Sequence, residues 1–174
     1  MEALHAWHEF YLLLGTAGAT LLALLFVAVS LGTGLLNAKD QSGTRTFMSP
    51  VVIHFTSVFF VSAICLVPSH GPIFFAVLIG ATAALGVVVS VVITVWVVRT
   101  TMTQYVPDYF AYGVFPVLAY LSMLTAAIMI LKGQDYAPEV LGGGMLLLAI
   151  VNIRNAWDLT LSMVRRHAGK RSSS

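Results

Sequence analysis

Residues 10–38 read FYLLLGTAGATLLALLFVAVSLGTGLLNA, and no charged side chain interrupts this run. About 20 consecutive apolar residues in an α-helix are enough to cross the hydrocarbon core of a bilayer. The run therefore predicts a transmembrane helix. It is preceded by Glu2 and Glu9 and by no lysine or arginine, which is not the pattern of a secretory signal peptide. We therefore expect this helix to stay in the protein rather than be cleaved.

The composition of the whole chain indicates the same class of protein. Of its 174 residues, 59% are hydrophobic and only 9% are charged, and the mean hydropathy is +0.92. Soluble domains contain about 25% charged residues. This chain has too little polar surface to cover its apolar groups in water, so the lipid bilayer is the expected partner. Cys65 is the only cysteine, which excludes an internal disulfide and a zinc site made of several cysteines.

Four further apolar stretches follow the first one. We predict an all-α, polytopic integral membrane helical bundle with five transmembrane helices, at residues 10–36, 51–67, 73–98, 109–131 and 140–164. Prolines stand at the edges of the second to fifth stretches, where a residue without an N–H group costs least. The connections are short, so we expect one domain over residues 1–166 and a basic, flexible cytoplasmic tail over 167–174.

The lysines and arginines predict an orientation. With the N-terminus outside, Lys132 is the single basic residue of the outer segments, and Arg154 lies within the membrane. The other seven fall on the cytoplasmic side: Lys39, Arg45, Arg99, Arg165, Arg166, Lys170 and Arg171. Cytoplasmic segments are rich in lysine and arginine. The expected topology is therefore N-terminus outside and C-terminus in the cytoplasm. Because the basic residues are scattered or lie at the tail, we expect no nucleic-acid partner.

The fifth stretch contains the most polar part of any span, NIRNAWDL at residues 152–159. Arg154 and Asp158 are four residues apart, which places them on one helix face. Asn152 and Asn155 precede Asp158 at three-residue steps. An unpaired charge near the bilayer centre costs about 2.5–3.5 kcal/mol, so we expect this face to point into the bundle. Two interpretations remain open: the pair only neutralises itself, or the cluster is a functional polar site.

His54 is the expected partner of this polar face. It lies one helical turn inside the second stretch from Pro50, at about the depth of Asp158, so the two side chains could share a proton. Ser57 would line the same face, and the alternative is a half-wetted histidine at the interface without a role. The candidate intramembrane polar site is therefore made of His54, Asn152, Arg154, Asn155 and Asp158.

The outer side holds the remaining candidate ligands. His5 and His8 are three residues apart, Glu9 follows them, and His70 lies in the loop after the second stretch. Imidazole and carboxylate groups suit zinc or copper, so His5, His8 and His70 are weak candidates for a metal site. No motif of a nucleotide loop, a nucleophile elbow or a zinc protease occurs in the chain. We therefore expect no enzymatic activity and no cofactor.

Two further features predict irregular helices. Pro116, with Gly113 before it, predicts a kink in the fourth span. The run Gly142–Gly144 opens the fifth span, and three glycines cost about 3 kcal/mol of helix propensity relative to alanine. These glycines predict either a bend or broken helix, or close packing against a neighbouring helix.

The apolar first span, the YFAYGVFP entry to the fourth span and the RNAWDL exit from the fifth resemble small multi-pass membrane proteins predicted in bacteria. The resemblance implies the bacterial inner membrane and no particular activity. We weigh two main functions: a homo-oligomeric channel or transporter-like conduit that uses the polar cluster and self-association, and a non-catalytic accessory or scaffolding membrane subunit. A membrane redox or metal-binding protein is the third.

Overall fold

The computed structural model describes residues 6–33, 38–68, 71–100 and 110–171, and every regular element within these ranges is helical. The all-helical part of the prediction is therefore confirmed for these residues. A π-helical turn, Phe110–Val114, leads directly into the fourth α-helix. The α-helices are α1 His8–Thr33, α2 Ala38–Leu66, α3 Pro72–Thr100, α4 Phe115–Leu131 and α5 Ala137–Arg171.

Within the described residues, four stretches are long and apolar enough to cross a membrane. The apolar part of α2, Pro50–Leu66, is shorter than these four. At 1.5 Å per residue it measures about 25 Å, against a hydrocarbon core of about 30 Å. Length and composition therefore support a membrane-embedded bundle. The apolar part of α2 is slightly shorter than the hydrocarbon core is thick. The four longer stretches are His8–Ala28, Pro72–Val95, Phe110–Leu131 and Ala137–Leu161.

Helices α1 and α2 run antiparallel, because Gly15 lies against Ser62 and Gly18 against Val58. The hydroxyl of Tyr11, near the start of α1, donates to the Pro138 carbonyl at the start of α5 over 3.0 Å. At the other end of the bundle, Leu25 of α1 packs in one cluster with Val51 at the apolar start of α2. Contacts are most extensive between α3 and α4, between α4 and α5, and between α1 and α2. Helix α2 also contacts α3 and α5, so it belongs to the bundle.

Two of the three glycines at the start of α5, Gly142 and Gly144, serve close packing, and none of the three breaks the helix. Helix α5 runs without interruption from Ala137 through all three of them. A Cβ atom at Gly144 would lie 2.9 Å from the Ala119 carbonyl oxygen, and one at Gly142 would lie 2.9 Å from Cε1 of Phe10. Of the two alternatives that the sequence left open, the structure therefore has close packing.

The fifth helix also continues further than the predicted span. Helix α5 extends to Arg171, beyond the expected span end at residue 164 and into the segment expected to be a flexible tail. The predicted boundary marks where the apolar run ends. Lysine, arginine and alanine are good helix formers. The helix therefore continues through the polar residues that begin at Arg165.

Tyr120 of α4 is fully buried, and its ring lies against Gly86 of α3. A Cβ atom at Gly86 would overlap the atoms of this ring. Small residues let helix backbones approach closely in lipid, and here the missing side chain makes room for an aromatic ring between two helices. Tyr120 thereby reaches past α3 toward α2.

We expect Gly86→Ala to lower the free energy of unfolding by about 1–3 kcal/mol, because an added methyl group in a well-packed core forces side chains or backbone to shift. Gly143→Ala is the matched control, since a Cβ at Gly143 meets no atom within 4 Å. Thermal unfolding of the purified protein in mild detergent measures both. Equal melting temperatures for the two variants would contradict the close contact between Gly86 and Tyr120.

Candidate buried polar site

The buried polar site centres on His54, whose partner is Tyr120 and not the expected Asp158. Nδ1 of His54 lies 3.0 Å from the Tyr120 hydroxyl oxygen. That hydroxyl donates to Oγ of Ser57 over 2.9 Å, and the Ser57 hydroxyl donates to the Ile53 carbonyl over 2.9 Å. His54 is 2% exposed, and Tyr120 is fully buried. Three side chains from two helices therefore form one hydrogen-bonded chain inside the bundle.

The hydrogen bonds of this side-chain network all run in one direction, from donor to acceptor. A carbonyl oxygen only accepts hydrogen bonds, so the single hydroxyl proton of Ser57 points at Ile53. Tyr120 must then supply the proton of its contact with Ser57, and its oxygen accepts the hydrogen bond from Nδ1 of His54. The network thus assigns the Nδ1–H tautomer to neutral His54. Each group donates to the next, from His54 to the backbone of α2.

Sequence periodicity accounts for two members of this chain and misses the third. His54 and Ser57 are three residues apart on α2, so they share a helix face. Ser57 also bonds to the carbonyl four residues before it, as serine commonly does within helices. Tyr120 comes from α4 and was not among the predicted residues. A buried tyrosine usually finds a hydrogen-bond partner, and this tyrosine in the middle of an apolar span was the available signal.

Asn152 and Asn155 point into the bundle, as expected, and are 1% and 2% exposed. The Asn152 amide nitrogen donates to the Val51 carbonyl over 2.8 Å, and that of Asn155 donates to the Ala111 carbonyl over 3.1 Å. These bonds fix the amide orientation, because a flipped side chain would set oxygen against oxygen. Both Oδ1 atoms are buried and have no hydrogen-bond partner among the described residues.

The π-helical turn explains why Asn155 is needed. A π-helix joins each carbonyl to the N–H five residues later, and five residues after Ala111 stands Pro116, which has no N–H. The Ala111 carbonyl therefore takes its hydrogen bond from Asn155. In return, the Tyr112 hydroxyl donates to the Asn155 carbonyl over 3.2 Å. The irregularity predicted at Pro116 is thus a π-helical turn, tied to α5 by two hydrogen bonds.

Arg154 and Asp158 form the expected pair, but on the outside of the bundle. Their side chains approach to 3.6 Å, and 44% and 40% of the side-chain surface stays accessible. The prediction that this face points inward is wrong for these two residues. Each three-residue step falls about 60° short of a full turn, so a row that starts inward at Asn152 has turned outward by Asp158. Arg154, two residues after Asn152, lies further around the helix.

The outer histidines do not form a site that the structure describes. His5 and His70 lie outside the described residues, and His8 is exposed. Within residues 6–33, 38–68, 71–100 and 110–171, no group of three or more histidine, cysteine, aspartate or glutamate side chains could hold a metal ion. The metal site at His5, His8 and His70 therefore stays a prediction.

We expect Tyr120→Phe to lower the free energy of unfolding by about 1–3 kcal/mol, because it leaves the buried Nδ1–H of His54 without its acceptor. Tyr136→Phe is the control, since Tyr136 is 74% exposed. Denaturant titration in mixed micelles measures both variants. If Tyr120→Phe unfolds at the same denaturant concentration as the control, the hydrogen-bonded chain contributes nothing to stability.

Comparison with known proteins adds nothing to this geometry. No family model, no curated protein and no solved structure matches the chain. The apolar helices support the membrane class, and the buried polar site is the feature from which a function follows.

Proposed function

We propose that the chain is a five-span protein of the bacterial inner membrane, with its N-terminus outside and its C-terminus in the cytoplasm. Helices α1 and α5 are parallel, because Tyr11 near the start of α1 bonds to Pro138 at the start of α5. Helices α3 and α4 are antiparallel, because Gly80 lies against Ala127 and Gly86 against Tyr120. Helices α4 and α5 are antiparallel, because Gly144 lies against Ala119 and Asn155 bonds to Ala111. Helices α1 and α3 therefore run in the same direction.

The parallel directions of α1 and α3 support the fifth span. A chain that crosses the membrane twice in the same direction has to return between the two crossings, and α2 is the helix that lies between them. Its apolar part is at the lower end of the lengths that span a bilayer, about 17–25 residues. Its buried side chains run from Val51 to Ile64. The orientation rests on the basic residues, seven of which fall on the cytoplasmic side and one on the outer side in this topology.

This topology predicts the labelling of single cysteines. On a background with Cys65→Ala, an impermeant thiol reagent applied to intact cells should label Ala3→Cys and leave Ser173→Cys unlabelled. Permeabilised cells are the control, in which both positions should react. Labelling of Ser173→Cys with protection of Ala3→Cys would reverse the orientation, and equal labelling of both would exclude an odd number of spans.

In this proposal the bundle is a transporter-like conduit for protons, and the directed chain of His54, Tyr120 and Ser57 is the observation that supports it. An imidazole accepts a proton on one nitrogen and releases one from the other near neutral pH. A proton that arrives on Nε2 of His54 allows the Nδ1 proton to pass to Tyr120. Tyr120 then passes its own proton to Ser57, and Ser57 passes its hydroxyl proton to a water molecule, so each oxygen keeps one proton. Rotation of the groups restores the starting chain.

The surroundings of the chain favour protons over other ions. Arg154 and Asp158 lie on the outer surface and pair with each other, so they do not line the buried path. Toward the inner end, the buried Oδ1 atoms of Asn152 and Asn155 are neutral acceptors suited to water or a hydrated proton. The hydrogen-bonded chain of His54, Tyr120 and Ser57 lies within one copy of the protein, so one copy supplies the path. Self-association is a separate prediction.

We expect the purified protein in liposomes to carry protons under an imposed membrane potential, measured with an internal pH-sensitive dye. His54→Gln and Tyr120→Phe should each lower the flux by at least about tenfold, since each removes a proton-transfer group. Ser90→Ala is the control, because Ser90 is fully buried and its hydroxyl has no partner among the described residues. Absent flux, or flux equal in all variants between about pH 5 and 8, would contradict the conduit.

An accessory membrane subunit is the alternative, and the outer face of α5 favours it. Trp157 is 62% exposed beside the Arg154–Asp158 pair. Tryptophan and arginine are enriched among the residues that dominate protein interfaces. A protein that carries no protons but co-purifies with a partner, and loses that partner on Trp157→Ala, would have this role instead.

A further inference from the structure

A groove of about 350 Å³ opens between α2 and α3 on the membrane-facing side of the bundle. Its walls are mainly apolar and include Phe60 and Leu85, which are 45% and 68% exposed. Three hydroxyl-bearing residues also line it: Thr56, Ser57 and Thr82. Volumes of about 300–1,000 Å³ with apolar walls and a few placed polar groups are typical of small-molecule sites.

The depth of the groove restricts its occupant. Ser57 lies seven residues from Pro50, which is about 10 Å along the helix axis, in an apolar segment that continues to Leu66. The groove is thus near the middle of the hydrocarbon layer. The ester carbonyls of phospholipids lie at the edge of that layer, whose thickness is about 30 Å. A polar group that reaches Ser57 must therefore belong to a molecule dissolved in the hydrocarbon itself.

The hydroxyl of Ser57 is the polar anchor of the groove. Its bond to the Ile53 carbonyl lies within its own helix turn, and rotation about the side-chain bond redirects the proton to the groove. Tyr120 donates to Ser57 and His54 donates to Tyr120. Successive hydrogen bonds polarise one another, so this chain strengthens Ser57 as a donor. The matching group on a ligand is a hydrogen-bond acceptor without a proton of its own, a carbonyl oxygen.

We infer that the groove binds a lipid-soluble carbonyl compound of the quinone type, with its ring between Phe60 and Leu85 and one carbonyl oxygen on the Ser57 hydroxyl. An acyl chain offers no acceptor at this depth. A transmembrane helix from a second copy has its backbone acceptors satisfied internally. The inference concerns binding and is independent of proton conduction.

The test uses the full chain in nanodiscs and a photoreactive azido-decyl-1,4-benzoquinone as the probe, with labelled peptides identified by mass spectrometry. Label should fall within residues 52–60 and 82–89. Unlabelled decyl-1,4-benzoquinone should displace the probe, and decylbenzene, which lacks the carbonyls, should not. Ser57→Ala should weaken displacement about fivefold, the factor carried by one neutral hydrogen bond. Ser90→Ala, which removes a buried hydroxyl elsewhere on α3, should leave it unchanged.

Thr82→Phe provides a second variant, because it fills the groove and leaves His54, Tyr120 and Ser57 in place. It should abolish labelling while the melting temperature stays close to that of the natural protein. Equal displacement by decylbenzene, or no effect of Ser57→Ala, would overturn the carbonyl site in favour of an acyl chain. Label spread evenly over lipid-facing helices, or a groove shielded by cross-linking to a second copy, would overturn the site altogether.

Discussion

The hydroxyl of Tyr120 has to find its hydrogen-bond partners inside the protein, because the side chain is fully buried. An unpaired buried hydroxyl costs several kcal/mol in an apolar solvent, roughly 2–7 by transfer measurements. The bundle meets this constraint by joining three helices at one point. The ring starts on α4, passes Gly86 on α3 and ends on His54 and Ser57 of α2. The relative positions of these helices near the middle of the bundle depend on that contact.

The same constraint organises the end of the bundle at which α4 begins. A proline in α4 removes one backbone donor, and an asparagine amide on α5 replaces it at the Ala111 carbonyl. Asn152 ties α5 to α2 by donating its amide N–H to the Val51 carbonyl. The amide nitrogen of each asparagine donates to a backbone carbonyl. Its oxygen is buried and has no protein partner among the described residues. This end of the bundle is therefore both held together by hydrogen bonds and able to accept further ones.

Ser57 connects the two functional ideas. It ends the directed chain that begins at His54, and it lines the groove that opens on the surface of the bundle between α2 and α3. A ligand in the groove would therefore contact Ser57, the last donor of the hydrogen-bonded chain. The outer face of α5, with Trp157 and its neighbouring ion pair, is separate from both and is the surface suited to a protein partner.

The sequence by itself determined the helical architecture and indicated the membrane class, because these depend on composition and run length along the chain. The pairing of Arg154 with Asp158 also followed from helical spacing. Spacing along one helix could not decide which side of α5 faces its neighbours. The outward position of Arg154 emerged only from packing. The partner of His54 was decided by tertiary structure alone, because Tyr120 is 66 residues away in the chain, and nothing local to either residue says which helices meet at that depth.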